Sequence, residues 1–217
     1  MSAVPPGDVG DQVDERPAGG GEIDSAVEVR THADRCRTAH AAERKNRGLL
    51  ESAGRPSLVI HAKVQVMPQL NEGQKAPAFA LPDQDGKTVS SDSLKGKPAV
   101  VYFYPKDDTP GCTTEACQFN DNLQQFQQAG VPVVGVSPDD AGSHVQFRNK
   151  YGLRFTLLSD PGHETMAAYG AWGDRPGRGE GVIRSTVLLA PDGTVQKTWY
   201  GVKADGHAAE VLEALKS

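Results

Sequence analysis

The chain has 217 residues and a net charge of −5, from 23 basic and 28 acidic side chains. No region forms a basic footprint, which argues against a nucleic-acid partner, and no run of about 18 apolar residues is available to span a membrane. Three cysteines are too few for a disulfide scaffold.

Composition divides the chain at Met67. All thirteen Phe, Tyr and Trp residues follow it, whereas residues 1–66 carry Pro5-Pro6, Gly19-Gly20-Gly21 and a fine mixture of Arg with Asp and Glu. Such a segment has little apolar surface with which to offset its chain entropy, so a disordered extension is expected. It shows no basic and then apolar leader, and its many acids are wrong for a transit peptide, so the expected location is the cytoplasm. Residues 67–217 form the expected domain, with Met67 a candidate natural start and residues 1–66 expected to be dispensable. Cys36, between Arg35 and Arg37, reads as an incidental exposed thiol.

Within the domain, Phe79–Leu81 and Thr88–Ser90 read as short strands around the turn Asp83-Gln84-Asp85-Gly86. A helical turn at Ser91–Leu94 follows, ending at Gly96. Ala99–Phe103 is a continuous apolar run of strand length, expected to be central and buried on both faces. A loop from Tyr104 to Gly111 leads into a helix expected over Pro110–Gln128, with Phe119, Leu123 and Phe126 at helical spacing. Val131–Val136 is a second buried strand. A helix opened by Asp139 and Asp140 should run to Tyr151, with Val145 and Phe147 inward. Thr156–Leu158 is a third strand, and His163–Tyr169 a short helix.

Val182–Ala190 and Thr194–Tyr200 form an expected hairpin around Pro191-Asp192-Gly193. A C-terminal helix over His207–Lys216 should bury Val211, Leu212 and Leu215. This alternation, closing on a hairpin, indicates an α/β protein with a mixed central sheet flanked by helices, an order that a thioredoxin-like fold satisfies.

The segment from Tyr102 to Cys117 carries the chemistry. It runs from the end of a buried strand into the first turn of a helix, a common place for a ligand site in α/β sheets. Thr109 suits the N-cap, and Pro110 suits the first helical position. Cys112 then falls in the first turn, where free N–H groups and the helix dipole favour a negative sulfur. Lowering a cysteine pKa from about 8.5 to about 6 would raise its thiolate fraction about thirtyfold at neutral pH. Lys106 could assist, while Asp107, Asp108 and Glu115 would oppose it if they approached.

Cys117 lies five residues further along, a Cα separation of about 8.7 Å on an intact helix. A disulfide needs about 4.4 to 6.8 Å, so the two sulfurs cannot bond while the helix is whole. A pair that joins only after local unwinding is the alternative, and Gly111 with Thr113-Thr114 makes that turn weak. Taken singly, Thr109 could be only a helix cap, Pro105 only a turn former and Arg184 only a solvated charge at a strand edge. Cys112 and Cys117 lack the spacing of a zinc ribbon, and His144, His163 and His207 read as scattered surface residues, so no metal and no cofactor is expected.

Pro105, Thr109 and Cys112 match the Pro-x-x-x-Thr-x-x-Cys signature of peroxiredoxins. The longer string Tyr104-Pro105-Lys106-Asp107-Asp108-Thr109-Pro110-Gly111-Cys112-Thr113-Thr114-Glu115-Ala116-Cys117 closely resembles the bacterioferritin-comigratory, or Q-type, subfamily. Gly181-Val182-Ile183-Arg184-Ser185-Thr186 resembles that family's second active-site segment.

The resemblance implies that Cys112 is the peroxidatic cysteine, oxidised by hydrogen peroxide or an organic hydroperoxide to a sulfenic acid. It implies that Thr109 and Arg184 orient the peroxide, and that Pro105 shields the product. Cys117 would be the resolving cysteine, forming a Cys112–Cys117 disulfide that thioredoxin or a similar dithiol reduces. With both cysteines on one helix, a monomer is expected.

Three departures stand out: Asn120 where arginine is usual, Ala190 where Asp is common, and a short loop over 174–180. Rival readings are a thiol–disulfide oxidoreductase on the same fold, which would want Cys-x-x-Cys, and a redox-sensing interaction protein, which need not turn over.

Overall fold

The computed structural model describes residues 69–216. The expectations for residues 1–66, including Cys36, and for a start at Met67 lie outside the described residues.

Short apolar runs bounded by turn residues become strands, as their length demands. β1 (Ala80–Pro82) pairs antiparallel with β2 (Thr88–Ser90) and leads into a 3₁₀ turn at Ser91–Leu94. β3 (Ala99–Phe103) is buried at every position, as a strand covered on both faces must be. After it come α1 (Pro110–Asp121), α2 (Leu123–Gln128), β4 (Val133–Ser137), α3 (Ala141–Tyr151) and β5 (Thr156–Ser159). The chain closes with α4 (Glu164–Ala168), β6 (Trp172–Arg175), β7 (Gly179–Val182), β8 (Ser185–Leu189), β9 (Val195–Tyr200) and α5 (His207–Ala214).

The central sheet has the order β5-β4-β3-β8-β9. β3, β4 and β5 run parallel, while β8 and β9 are antiparallel to their neighbours, so the sheet is mixed as expected. Each face carries its own apolar cluster. Tyr102, Phe119, Phe126, Phe147, Leu188 and Val211 belong to one, and Phe103, Val136, Leu158, Met166, Tyr169 and Val187 to the other. The strand period of two sends neighbours such as Tyr102 and Phe103 to opposite sides.

Several expectations need correction. The helix expected over Pro110–Gln128 is two helices meeting at Asn122, whose φ/ψ of −88°/0° leaves the helical range. Its side-chain amide donates to the Gln118 carbonyl at 2.8 Å, an interaction that competes with the helical ladder. The strand expected over Val182–Ala190 is also interrupted. β7 ends at Val182 and β8 begins at Ser185, leaving Ile183 and Arg184 outside both. The segment expected as a loop over 174–180 contributes to a hairpin, with Asp174 opposite Glu180 and Arg175 opposite Gly179.

α3 is capped by Asp140, which accepts from the Ser143 N–H, and it ends at the left-handed Gly152. Its inward residues are His144 and Phe147, with Val145 only half-buried. His144 and His207, read above as surface residues, are both buried. Each is admitted to the interior by a hydrogen bond: His144 Nδ1 to Asp107, and His207 Nε2 to Thr186, both at 2.8 Å. His163 is half-buried and stacks on Trp172. Leu215 lies beyond the end of α5 and is half-buried. Asn120 is buried, and its side-chain carbonyl accepts from the Arg154 N–H at 2.9 Å, tying the end of α1 to the approach of β5.

Candidate active site

The C-terminal end of β3 delivers Tyr104 and Pro105 into a six-residue loop that stops at Thr109, the N-cap of α1. Pro110 then occupies the first turn, where its missing N–H costs nothing. Thr109 holds the N-cap position without a side-chain cap; its hydroxyl instead donates to the Lys106 carbonyl at 3.1 Å. With its one proton engaged there, Thr109 Oγ1 keeps lone pairs with which to accept a further hydrogen bond. Pro105 and Thr109 are half-buried, whereas Lys106 is exposed.

Cys112 lies in this first turn as a free thiol, 2% exposed. Arg184 reaches it from the break between β7 and β8, its Nη2 donating to the sulfur at 3.2 Å. The other terminal nitrogen of the same guanidinium donates to the fully buried carboxylate of Glu115. Burial alone would lower the Arg184 pKa, but Glu115 and Cys112 outweigh it and hold the group above its usual value. The guanidinium is thus a fixed positive charge shared between a carboxylate and a sulfur.

From sequence, Glu115 is expected to oppose a negative sulfur if it approaches. The structure makes it the residue that orients Arg184. Its i,i+3 relation to Cys112 on one helix face was the available signal. The loop acids also do not oppose the sulfur directly: Asp107 and Asp108 turn to α3.

Cys117 is fully buried on the same helix, within the apolar cluster that includes Phe119 and Ala116, and it is disulfide-bonded in this structure, so it offers a thiol only after reduction. Beneath the site lies Tyr102. Burial first, then the negative charge of Glu115 and neighbouring acids, raises its pKa well above the usual value. Its ring needs Gly135 on the adjacent strand, because a Cβ there would fall 2.8 Å from the phenol. His207 stands behind the site with its pKa lowered by burial, against the opposing pull of Glu210.

Arg184 and Cys112 are therefore brought together. Thr109 and Pro105 frame the loop leading to them, and Cys117 is held one helical stretch away. A pocket of about 300 Å³ near Lys97, Val131 and Arg154 lies at the opposite end of the strands. Among the described residues, no group of three or more His, Cys, Asp or Glu is arranged to hold a metal ion. No helix among them is long and apolar enough to cross a membrane.

Residues 72–198 match the family model of the AhpC/TSA family. A provisionally named peroxiredoxin of Mycobacterium tuberculosis is 49% identical over 150 residues, which cover 68% of this chain and 96% of that protein. A chloroplastic peroxiredoxin Q of Populus jackii is 46% identical over 156 residues, covering 71% and 72% of the two chains. Among solved structures, the Xanthomonas campestris bacterioferritin comigratory protein, described for its alkyl peroxide reduction activity, superposes with a TM-score of 0.64 at 38% identity. That match covers 67% of this chain and 98% of the other.

Proposed function

This chain belongs to the AhpC/TSA family, as a thiol peroxidase of the peroxiredoxin Q kind on a thioredoxin-like fold, and from that premise we propose how its own residues turn over. The observation that carries the reading is the Arg184 Nη2 contact to Cys112 Sγ in the first turn of α1.

Cys112, as thiolate, attacks one oxygen of the hydroperoxide. An S–O bond forms, the O–O bond breaks, and the departing oxygen leaves with the electron pair and takes a proton as water or an alcohol. Arg184, already fixed by Glu115, stabilises the charge that develops across the breaking bond. Thr109 Oγ1, whose own proton is engaged by Lys106, accepts from the hydroperoxide O–H and sets its direction. Pro105 shields the sulfenic acid that results.

Cys117, once a dithiol has reduced the disulfide that holds it in this structure, attacks the sulfenic sulfur, forming the Cys112–Cys117 disulfide and releasing water. Because about 8.7 Å separates residues five apart on an α-helix, α1 must unwind locally before this bond can form. Amide exchange over residues 112–117 is therefore expected to be much faster in the disulfide form than in the dithiol form. Equal protection in both forms would remove local unwinding from the mechanism.

Thioredoxin or a similar dithiol closes the cycle by exchange. Both cysteines lie on one helix, so the scheme asks for no second subunit and we take the working unit as a monomer. The alkyl peroxide reduction described for the Xanthomonas protein suggests that organic hydroperoxides, as well as hydrogen peroxide, are substrates here.

The test is an NADPH-coupled assay with thioredoxin and thioredoxin reductase, run on both peroxide classes. It should be run with the full chain and with a chain beginning at Met67. Steady turnover at equal rates in the two chains is expected, since the groups used here all lie in residues 69–216 and the Mycobacterium protein is matched over almost its whole length. Peroxide consumption without thioredoxin-linked cycling would leave a sensor rather than an enzyme. A slower short chain would show that residues 1–66 contribute.

A further inference from the structure

The scheme above gives no role to the two aspartates that precede the catalytic helix, yet both are tied to α3. Asp107 is 6% exposed. One of its oxygens accepts from the Tyr104 hydroxyl at 2.7 Å, and the other meets the Ser143 hydroxyl and His144 Nδ1, both at 2.8 Å. Its N–H donates to Asp139 at 2.8 Å. His144 Nε2 is buried with no hydrogen-bond partner among the described residues, so the network calls for the tautomer that carries its proton on Nδ1 and donates it to Asp107.

Asp108 follows with φ of 55°, a left-handed conformation that a non-glycine residue adopts only when its surroundings impose it. The Tyr151 hydroxyl and the Lys150 ammonium each donate to one of its oxygens at 2.6 Å. Burial would raise the Asp108 pKa, but these two hydrogen bonds outweigh it and hold the carboxyl below its usual value. A cavity of about 280 Å³ lies against Asp107, Asp108, Ser143, Phe147 and Lys150.

Ser143, His144, Lys150 and Tyr151 all belong to α3, which is anchored in the core through Phe147. Asp107 and Asp108 belong to the loop that ends at the N-cap of α1. We propose that Asp107 and Asp108 are positioning residues: they strap the loop to α3, hold the first turn of α1 intact around Cys112, and thereby set how often the helix unwinds for disulfide formation. The inference rests on the two-step reading above. It adds that the balance between capturing peroxide and forming the disulfide is adjusted from α3, outside the catalytic segment.

The consequence for rates follows from populations. If the intact helix dominates, weakening the strap multiplies the rare unwound state while barely depleting the common one. The double variant Lys150→Met/Tyr151→Phe removes both Asp108 anchors and leaves the loop and α1 unaltered. Stopped-flow oxidation by hydrogen peroxide separates a peroxide-dependent phase, sulfenic acid formation, from a peroxide-independent phase, disulfide formation.

The disulfide phase is expected to accelerate about tenfold, the scale set by the two lost hydrogen bonds, while the peroxide-dependent phase falls less than about twofold. Mass spectrometry should show that about tenfold more peroxide is needed to convert half of Cys112 to sulfinic acid. Asp108→Asn, which keeps the tolerance for the left-handed backbone but loses the charge, should move the same quantities in the same direction by less. It decides the matter if the double variant does not fold.

An unchanged or slower disulfide phase, with or without a lower melting temperature, would reduce these residues to a structural role and overturn the strap. Absence of any peroxide-dependent oxidation in the unaltered chain would instead overturn the peroxidase reading beneath it, and the strap with it.

Discussion

Cys112→Ser is expected to abolish peroxide reduction, while Cys117→Ser consumes about one equivalent of peroxide per chain and then stops. The first follows because a serine hydroxyl in the same turn is almost wholly protonated at neutral pH and offers no comparable nucleophile. The second follows because Cys112 would still form a sulfenic acid, leaving no thiol on α1 with which to condense. With excess peroxide the stranded sulfenic acid should advance to sulfinic acid, a gain of two oxygens on the peptide containing Cys112. Mass spectrometry and the thioredoxin-coupled assay check both outcomes. Full coupled turnover in Cys117→Ser would move the resolving role to another thiol.

Arg184→Lys is expected to slow oxidation of Cys112 by about 10²- to 10³-fold, the scale observed when one preorganised donor is lost from a developing negative charge. The change keeps the charge and removes the geometry. In the native arrangement one terminal nitrogen engages Glu115 and the other lies 3.2 Å from the sulfur, so a single rigid fork serves both groups. A lysine ammonium is a compact point charge that cannot reproduce that fork.

Removing the charge altogether would be a poorer probe. Arg184→Met would break the buried Arg184–Glu115 pair, a defect that typically costs about 3–5 kcal/mol and would confuse stability with chemistry. The measurement is the second-order rate of sulfenic acid formation, made in a Cys117→Ser background so that the disulfide step cannot contribute. A fall of less than threefold would mean that the guanidinium does not stabilise the transition state.

Much of the site's framework is legible locally. The run Ala99–Phe103 announces a strand buried on both faces, and every one of its residues is buried. Pro110 announces the start of α1, and Pro191-Asp192-Gly193 announces the β8–β9 turn, where Gly193 adopts φ of 79°. Each of these signals concerns a few consecutive residues whose backbone preferences and side-chain period are expressed in the element they form. Cys112 can be assigned to the first turn of a helix for the same reason, and its family resemblance rests on residues within a single short segment.

Other features depended on packing. Apart from the family resemblance of the segment Gly181–Thr186, nothing local distinguishes Arg184 from a solvated strand charge; it meets Cys112, across 72 positions of sequence, because β8 pairs beside β3. Glu115 reads as a hazard to a thiolate until Arg184 is placed between them. His144 and His207 read as surface residues because burial of a polar ring is favourable only when a partner meets it, and the partners, Asp107 and Thr186, lie 37 and 21 residues away.

The break at Asn122 is a competition between helix propensity and a side-chain hydrogen bond, which periodicity of apolar residues does not register. Local sequence thus determined which segments became strands and helices and where the Cys112 sulfur sits on its helix. The tertiary structure decided which polar groups could be buried and which charge faces that sulfur, because such groups enter a low-dielectric interior only where distant parts of the chain supply their partners.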